Sequence, residues 1–169
     1  MNTKNAPQVD SPEPELVITR IFDAKPGVVF KVWTEPEHFV HWWGPKGFTT
    51  PYCAINSRPG GVIHFCMHSP DGRDYWSKGI FCEVVEPERF VVTEYFVDAA
   101  GNKVSPVELG LSEDFPAEML MRVTFLEHDG KTLLTMRQTV PLSIAERNGA
   151  PQGWNESFDK LEEYLAKIR

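Results

Sequence analysis

No stretch of this sequence approaches the roughly 20 consecutive apolar residues of a membrane span. The N-terminal MNTKNAPQVDSPEPE has no apolar core of signal-peptide length. Basic residues are few: 17 Lys and Arg stand against 24 Asp and Glu, for a net charge of -7. That balance argues against a nucleic-acid partner and against an anionic membrane surface, both of which need a positive face. There are three cysteines, Cys53, Cys66 and Cys82, an odd number without close metal-type spacing. They read as reduced thiols, so neither a disulfide framework nor a metal site is expected. G-x-S-x-G, H-E-x-x-H and a glycine-rich phosphate loop before a helix are all missing. Ser57, Ser77 and Ser105 have no neighbouring base that sequence can identify, so catalytic residues stay unknown and no cofactor is expected. An acid/base pocket needs only one or two well-placed groups, however, so catalysis stays open. These exclusions leave a cytoplasmic protein, monomer or homodimer, built as one domain of ordinary size with an adequate 41 % of hydrophobic residues.

Residues 1–14 are polar and carry Pro7, Pro12 and Pro14, which predicts a disordered tail ahead of a domain spanning 15–169. ELVITRIF, residues 15–22, is a first strand. Pro26 suits a first helical position, with Val29, Phe30 and Trp33 on one face. Pro36 stops that helix and starts a second, carrying Phe39, Trp42 and Trp43 to Gly44-Pro45. Six strands follow, near 49–57, 62–68, 74–86, 89–97, 118–127 and 131–140. RPGG, SPDGR, EPER and EHDGK form the hairpin turns between them. Residues 98–116 read as a long loop with room for a helical turn. Ser143 and Glu146 fit a capping box, and Gly149 the end of that short helical piece. Beyond it, Trp154, Phe158, Leu161, Leu165 and Ile168 are spaced 4, 3, 4, 3, an amphipathic stripe with Asp159, Lys160, Glu162, Glu163 and Lys167 on the exposed side. Burying that stripe is worth on the order of 10 kcal/mol gross, so it must lie on the sheet. The fold class is α+β: a curved antiparallel sheet wrapped around a long C-terminal helix, with two short helices after the first strand.

LVITRIFDAKPGVVFKVWTEPEHFVHWWGPKGFT resembles the opening of the activator-of-heat-shock-ATPase-like domains of the START-like, or SRPBCC, superfamily. RPGGVIHFCM, SPDGRDYWSKGIFCEVVEPERFVVTEY, VTFLEHDGKTLLTMRQ and GWNESFDKLEEYL continue the resemblance in order, over residues 15 to 168. It implies the helix-grip fold. For function it implies a choice among ligand binding, cyclisation, hydrolysis and chaperone regulation in a stress response. Two departures bear on any pocket: Glu94 stands where a Trp is common, and the loop at 98–116 is long.

Strand parity places Ile63, Phe65 and Met67 on the concave face, with Val62, His64, Cys66 and His68 opposite. His64 and His68 are then roughly 13 Å apart, too far to share a metal. Phe90, Val92, Glu94 and Phe96 share one face. If it is the concave one, Glu94 is a carboxyl group in an apolar pocket, able to serve as acid, base or anchor; a bulge would instead turn it to water. Leu134, Met136 and Gln138 share a face, as do Met119, Met121 and Val123. Arg20 and Glu83 are candidates for a cross-strand pair. The expected function is binding of a small hydrophobic or amphipathic molecule between sheet and helix. The expected contacts are Trp42, Trp43 and Phe48 from the helix pair and its turn, and Phe65, Met67, Trp76 and Phe81 from the next strands. Glu94, Met121 and Met136 join them from the later strands, and Trp154 and Phe158 from the last helix. The alternatives are a chaperone-regulating protein-binding module and a cyclase- or hydrolase-type enzyme using Glu94, with His64 or Gln138 as further polar actors.

Overall fold

The computed structural model describes residues 13–168. Strand β1 (Glu15–Phe22) is followed by helices α1 (Pro26–Thr34) and α2 (Pro36–Phe39). Pro26 opens α1. Glu35, held extended by the proline after it, ends that helix and caps the next. Then come β2 (Thr49–Ile55), β3 (Val62–His68), β4 (Asp74–Val85) and β5 (Arg89–Val97). A long connection with one 3-10 turn, Pro106–Leu109, leads to β6 (Glu118–His128) and β7 (Lys131–Pro141). Helices α3 (Leu142–Arg147) and α4 (Ala150–Ile168) follow. The seven strands form one antiparallel sheet in the order β1-β7-β6-β5-β4-β3-β2.

The short loops explain most of that order. Asp129 and Gly130 both take positive φ, 51° and 81°, the geometry of a tight hairpin turn between β6 and β7. The concave face collects the alternating apolar residues: Phe90 and Val92 of β5, Met121 and Val123 of β6, Leu134 and Met136 of β7, all buried. Helix α4 lies on that face. Phe158 meets Phe22 edge-on at 5.5 Å, and Arg20 of β1 reaches Asp159 at 2.8 Å. Among the described residues no helix is long and apolar enough to cross a membrane.

Several local expectations are corrected. Helix α2 ends at Phe39, so Trp42 and Trp43 lie on the turn after it, their amides both donating to the Phe39 carbonyl. Ser143 and Glu146 form no capping box; the Ser143 amide instead donates to Glu13. The capping box belongs to Ser105 and Glu108, at the 3-10 turn of the long loop. Arg20 does not pair with Glu83, which binds Arg89. On α4, Ile168 is exposed, and Lys160 is half-buried rather than on the solvent face. Of the expected tail, residues 1–12 lie outside the described residues. Pro14 accepts a hydrogen bond from the Leu142 amide.

Candidate functional site

Between the concave sheet and the N-terminal half of α4 lies a half-open cavity of about 310 Å³. One wall is the turn after α2, with Trp43, Pro45 and Phe48. The sheet supplies Phe65 and Met67 from β3, Tyr75 from β4, Glu94 and Phe96 from β5, Met119 from β6 and Gln138 from β7. Gly153, Trp154 and Ser157 form the α4 side, and Leu109, Leu111 and Phe115 of the long loop cover the remaining side.

The tryptophan doublet divides between two environments, as adjacent residues on a curved backbone must. Trp42 is fully buried, and its indole N–H donates to the Val32 carbonyl at 2.9 Å, which locks the turn onto α1. Trp43 meets Phe65 and Trp154 edge-on at 5.2 Å each and forms a cavity wall. Lys160 of α4 fixes the turn from the other side. Its Nζ donates to the carbonyls of Gly44 (3.0 Å), Pro45 (3.3 Å) and Phe48 (3.0 Å).

The polar centre is a relay across three elements. Trp154 Nε1 donates to Gln138 Oε1 at 3.2 Å, and Gln138 Nε2 donates to Glu94 Oε2 at 3.0 Å. The indole has no acceptor to offer, so it fixes which end of the Gln138 amide faces Glu94. Burial pushes the Glu94 carboxyl up to about 7, opposed only by the Gln138 hydrogen bond. Its residual accessible surface opens into the cavity. Gly79 sits opposite Glu94 in the β4–β5 register. A Cβ there would come within 2.9 Å of Val92 and of the Thr93 carbonyl, so no larger residue can occupy the spot.

Trp43, Phe48, Phe65, Met67, Glu94 and Trp154 are thus brought together around one space. The other expected contacts lie elsewhere. Trp42, Met136 and Phe158 are core residues with no exposed surface. Phe81 and Met121 line a separate, smaller void of about 10 Å³ behind Trp43 and Glu94. Trp76 is on the convex face, packed against Tyr52 and His64, because it alternates out of phase with Tyr75 and Ser77. His64 shares that outer face, so it is removed from the cavity chemistry. Tyr75 was legible by the same parity. The apolar residues of the long loop had only their composition to mark them. Among the described residues no three His, Cys, Asp or Glu side chains gather as a metal site.

The long loop is strapped to the junction of α3 and α4. Asn148 Oδ1 accepts the Ser112 amide at 3.0 Å, and Asn148 Nδ2 donates to Ser112 Oγ at 2.9 Å. Arg147 pairs with Asp114 beside it.

A family model described as Activator of Hsp90 ATPase homolog 1-like protein matches residues 23–166. Among solved structures, a Mycobacterium smegmatis protein superposes with a TM-score of 0.74 at 25 % identity, covering 88 % of each chain. An Arthrobacter aurescens protein gives 0.76 at 20 %, covering 89 % of this chain and 85 % of its own. The AHSA1 protein of Silicibacter pomeroyi gives 0.73 at 21 %, covering 92 % of this chain and all of its own. No curated protein sequence matches.

Proposed function

We propose, since the chain belongs to the Activator of Hsp90 ATPase homolog 1-like family, that it is a receptor for one small amphipathic molecule held between the curved sheet and α4. The observation that carries this reading is the cavity of about 310 Å³, walled by aromatic and aliphatic side chains around one oriented carboxyl group. Its size lies at the small end of the roughly 300–1,000 Å³ typical of ligand pockets, enough for a molecule of two rings or a short chain. Apolar walls supply the affinity, and the Trp154–Gln138–Glu94 relay supplies the orientation.

A ligand at about a hundred times its Kd raises the unfolding free energy by roughly 2.7 kcal/mol. A thermal-shift screen of lipids, flavonoids, polyketides and small aromatics is expected to find such a compound. If every class leaves Tm unchanged, the receptor reading fails.

One observation favours a second reading. A carboxyl group poised near 7 is matched to proton transfer at neutral pH, which is what a cyclase or hydrolase pocket would need. In that case Glu94→Gln abolishes turnover of a bound compound while binding persists. If the same variant only weakens binding, the receptor reading is favoured.

A further inference from the structure

Among the described residues lining the cavity, Glu94 is the only one with a carboxyl or basic side chain. One of its oxygens, Oε2, accepts the Gln138 amide; among the described residues Oε1 makes no hydrogen bond. Among the described residues, the elements packed around it bring no cation to the cavity, and Lys78 borders only the void of about 10 Å³ that Glu94 also lines. Opposite it in β4 is Gly79, beside it in β6 is Met119, and β3 contributes Phe65. Helix α4 contributes Trp154 and Ser157, and the turn contributes Trp43. Lys78 alternates outward on β4 with Trp76, and its charge acts on His64 on the convex side. Lys160 is committed to three carbonyls behind the wall.

A carboxylate removed from water without a partner is costly, and its cost falls when a cation is brought to it. The cavity that it lines is walled by aromatic rings, Trp43, Trp154, Phe65, Tyr75 and Phe96, whose faces attract cations. Aromatic walls around a single negative charge stabilise an organic ammonium from both sides, electrostatically at the carboxylate and through the ring quadrupoles.

We propose that the ligand of this cavity is a hydrophobic amine, bound as its ammonium with the charged end on Glu94 and the apolar body along Trp43, Phe48 and Phe96. This rests on the receptor reading and narrows it to one chemical class. Ionisation of Glu94 is required for the pairing. The carboxyl titrates near 7, whereas an aliphatic amine holds its proton to about 10, so binding strengthens as pH rises from 6 to 8.

The test is isothermal titration of three matched probes, 1-naphthylmethylamine, 1-naphthalenemethanol and 1-naphthoate, against the full chain at pH 6 and pH 8. At pH 8 the amine is expected to bind about tenfold or more tightly than the alcohol, with the acid weakest. Its affinity should fall several-fold at pH 6. Glu94→Gln, close in shape and neutral, should bring the amine down to the alcohol. Equal binding of amine and alcohol, or tighter binding of the acid, overturns the amine assignment while the receptor reading stands. Silence from all three probes at millimolar concentration overturns the amine assignment, and silence extending to the wider thermal-shift screen overturns both. Should Glu94→Gln not fold, the pH series on the unaltered chain decides alone: a flat or inverted profile sinks the proposal.

Discussion

A carboxyl group that titrates near 7 in the folded protein, against an ordinary 4.5, makes the native state the better proton binder between those values. Stability contributed by Glu94 is therefore full below about pH 4.5 and is lost as pH rises through 7. The loss is on the order of 3 kcal/mol. Glu94→Gln is expected to raise Tm at pH 8 and to flatten the dependence of stability on pH between 5 and 8, as chemical denaturation at several pH values would register. An unchanged slope would mean that the carboxyl stays hydrated. The tryptophan doublet gives a second expectation at this scale. Trp42→Ala empties a fully buried site and frees the Val32 carbonyl, costing about 3–5 kcal/mol. Trp43→Ala removes a buried ring packed on Phe39, Phe65 and Trp154 and also enlarges the cavity, so it should lower stability by about 3–5 kcal/mol and weaken ligand affinity as well.

At the scale of elements, the turn after α2 and the long loop are the two cavity walls outside the sheet and α4, and Lys160 and Asn148 are prominent polar ties that hold them. Lys160→Met removes three hydrogen bonds from an ammonium to the turn. It is expected to lower stability by about 1–3 kcal/mol and to weaken ligand binding as Phe48 shifts. Asn148→Ala unties Ser112 of the loop from the junction of α3 and α4. Stopped-flow measurements should then show faster ligand dissociation with little change in global stability, because Phe115 is the loop's one hydrophobic residue, among the described residues, that packs against the core, and it is only partly buried. Neither tie could be read from sequence. Lys160 falls on the solvent side of the α4 stripe by periodicity, and only the approach of a distant turn gives it acceptors. Ser143 and Glu146 had the spacing of a capping box, yet the chain at Glu13 competes for the Ser143 amide and wins. Local spacing records what a residue could bond, and tertiary contacts choose among the options.

For the molecule as a whole, strand order and the grip on α4 followed from alternation, turn residues and one amphipathic stripe, all signals that reside within short windows. The inward facing of Glu94 was readable from parity with Phe90, Val92 and Phe96, though parity alone could not exclude a bulge. A bulge does occur nearby, between Phe81 and Glu83 on β4, and leaves β5 in register. What escaped the sequence was the division of a continuous apolar interior into packed core and hollow. Met136 and Met119 are alike in kind and both inward, but one is fully buried in the core while the other borders the cavity. That difference depends on where the curved sheet parts from α4, a property of summed geometry rather than of any residue.

Trp33 lies parallel to Trp154, with an interplanar angle of 17° and centroids 6.1 Å apart, and it also touches Trp42 and Trp43. Four indoles so close share their electronic excitations. A guest that tilts Trp154 by a few degrees would alter the near-ultraviolet dichroism of the entire quartet, including two members it never meets. The protein therefore carries its own optical gauge of occupancy, calibrated by nothing more than adding a compound and watching the spectrum.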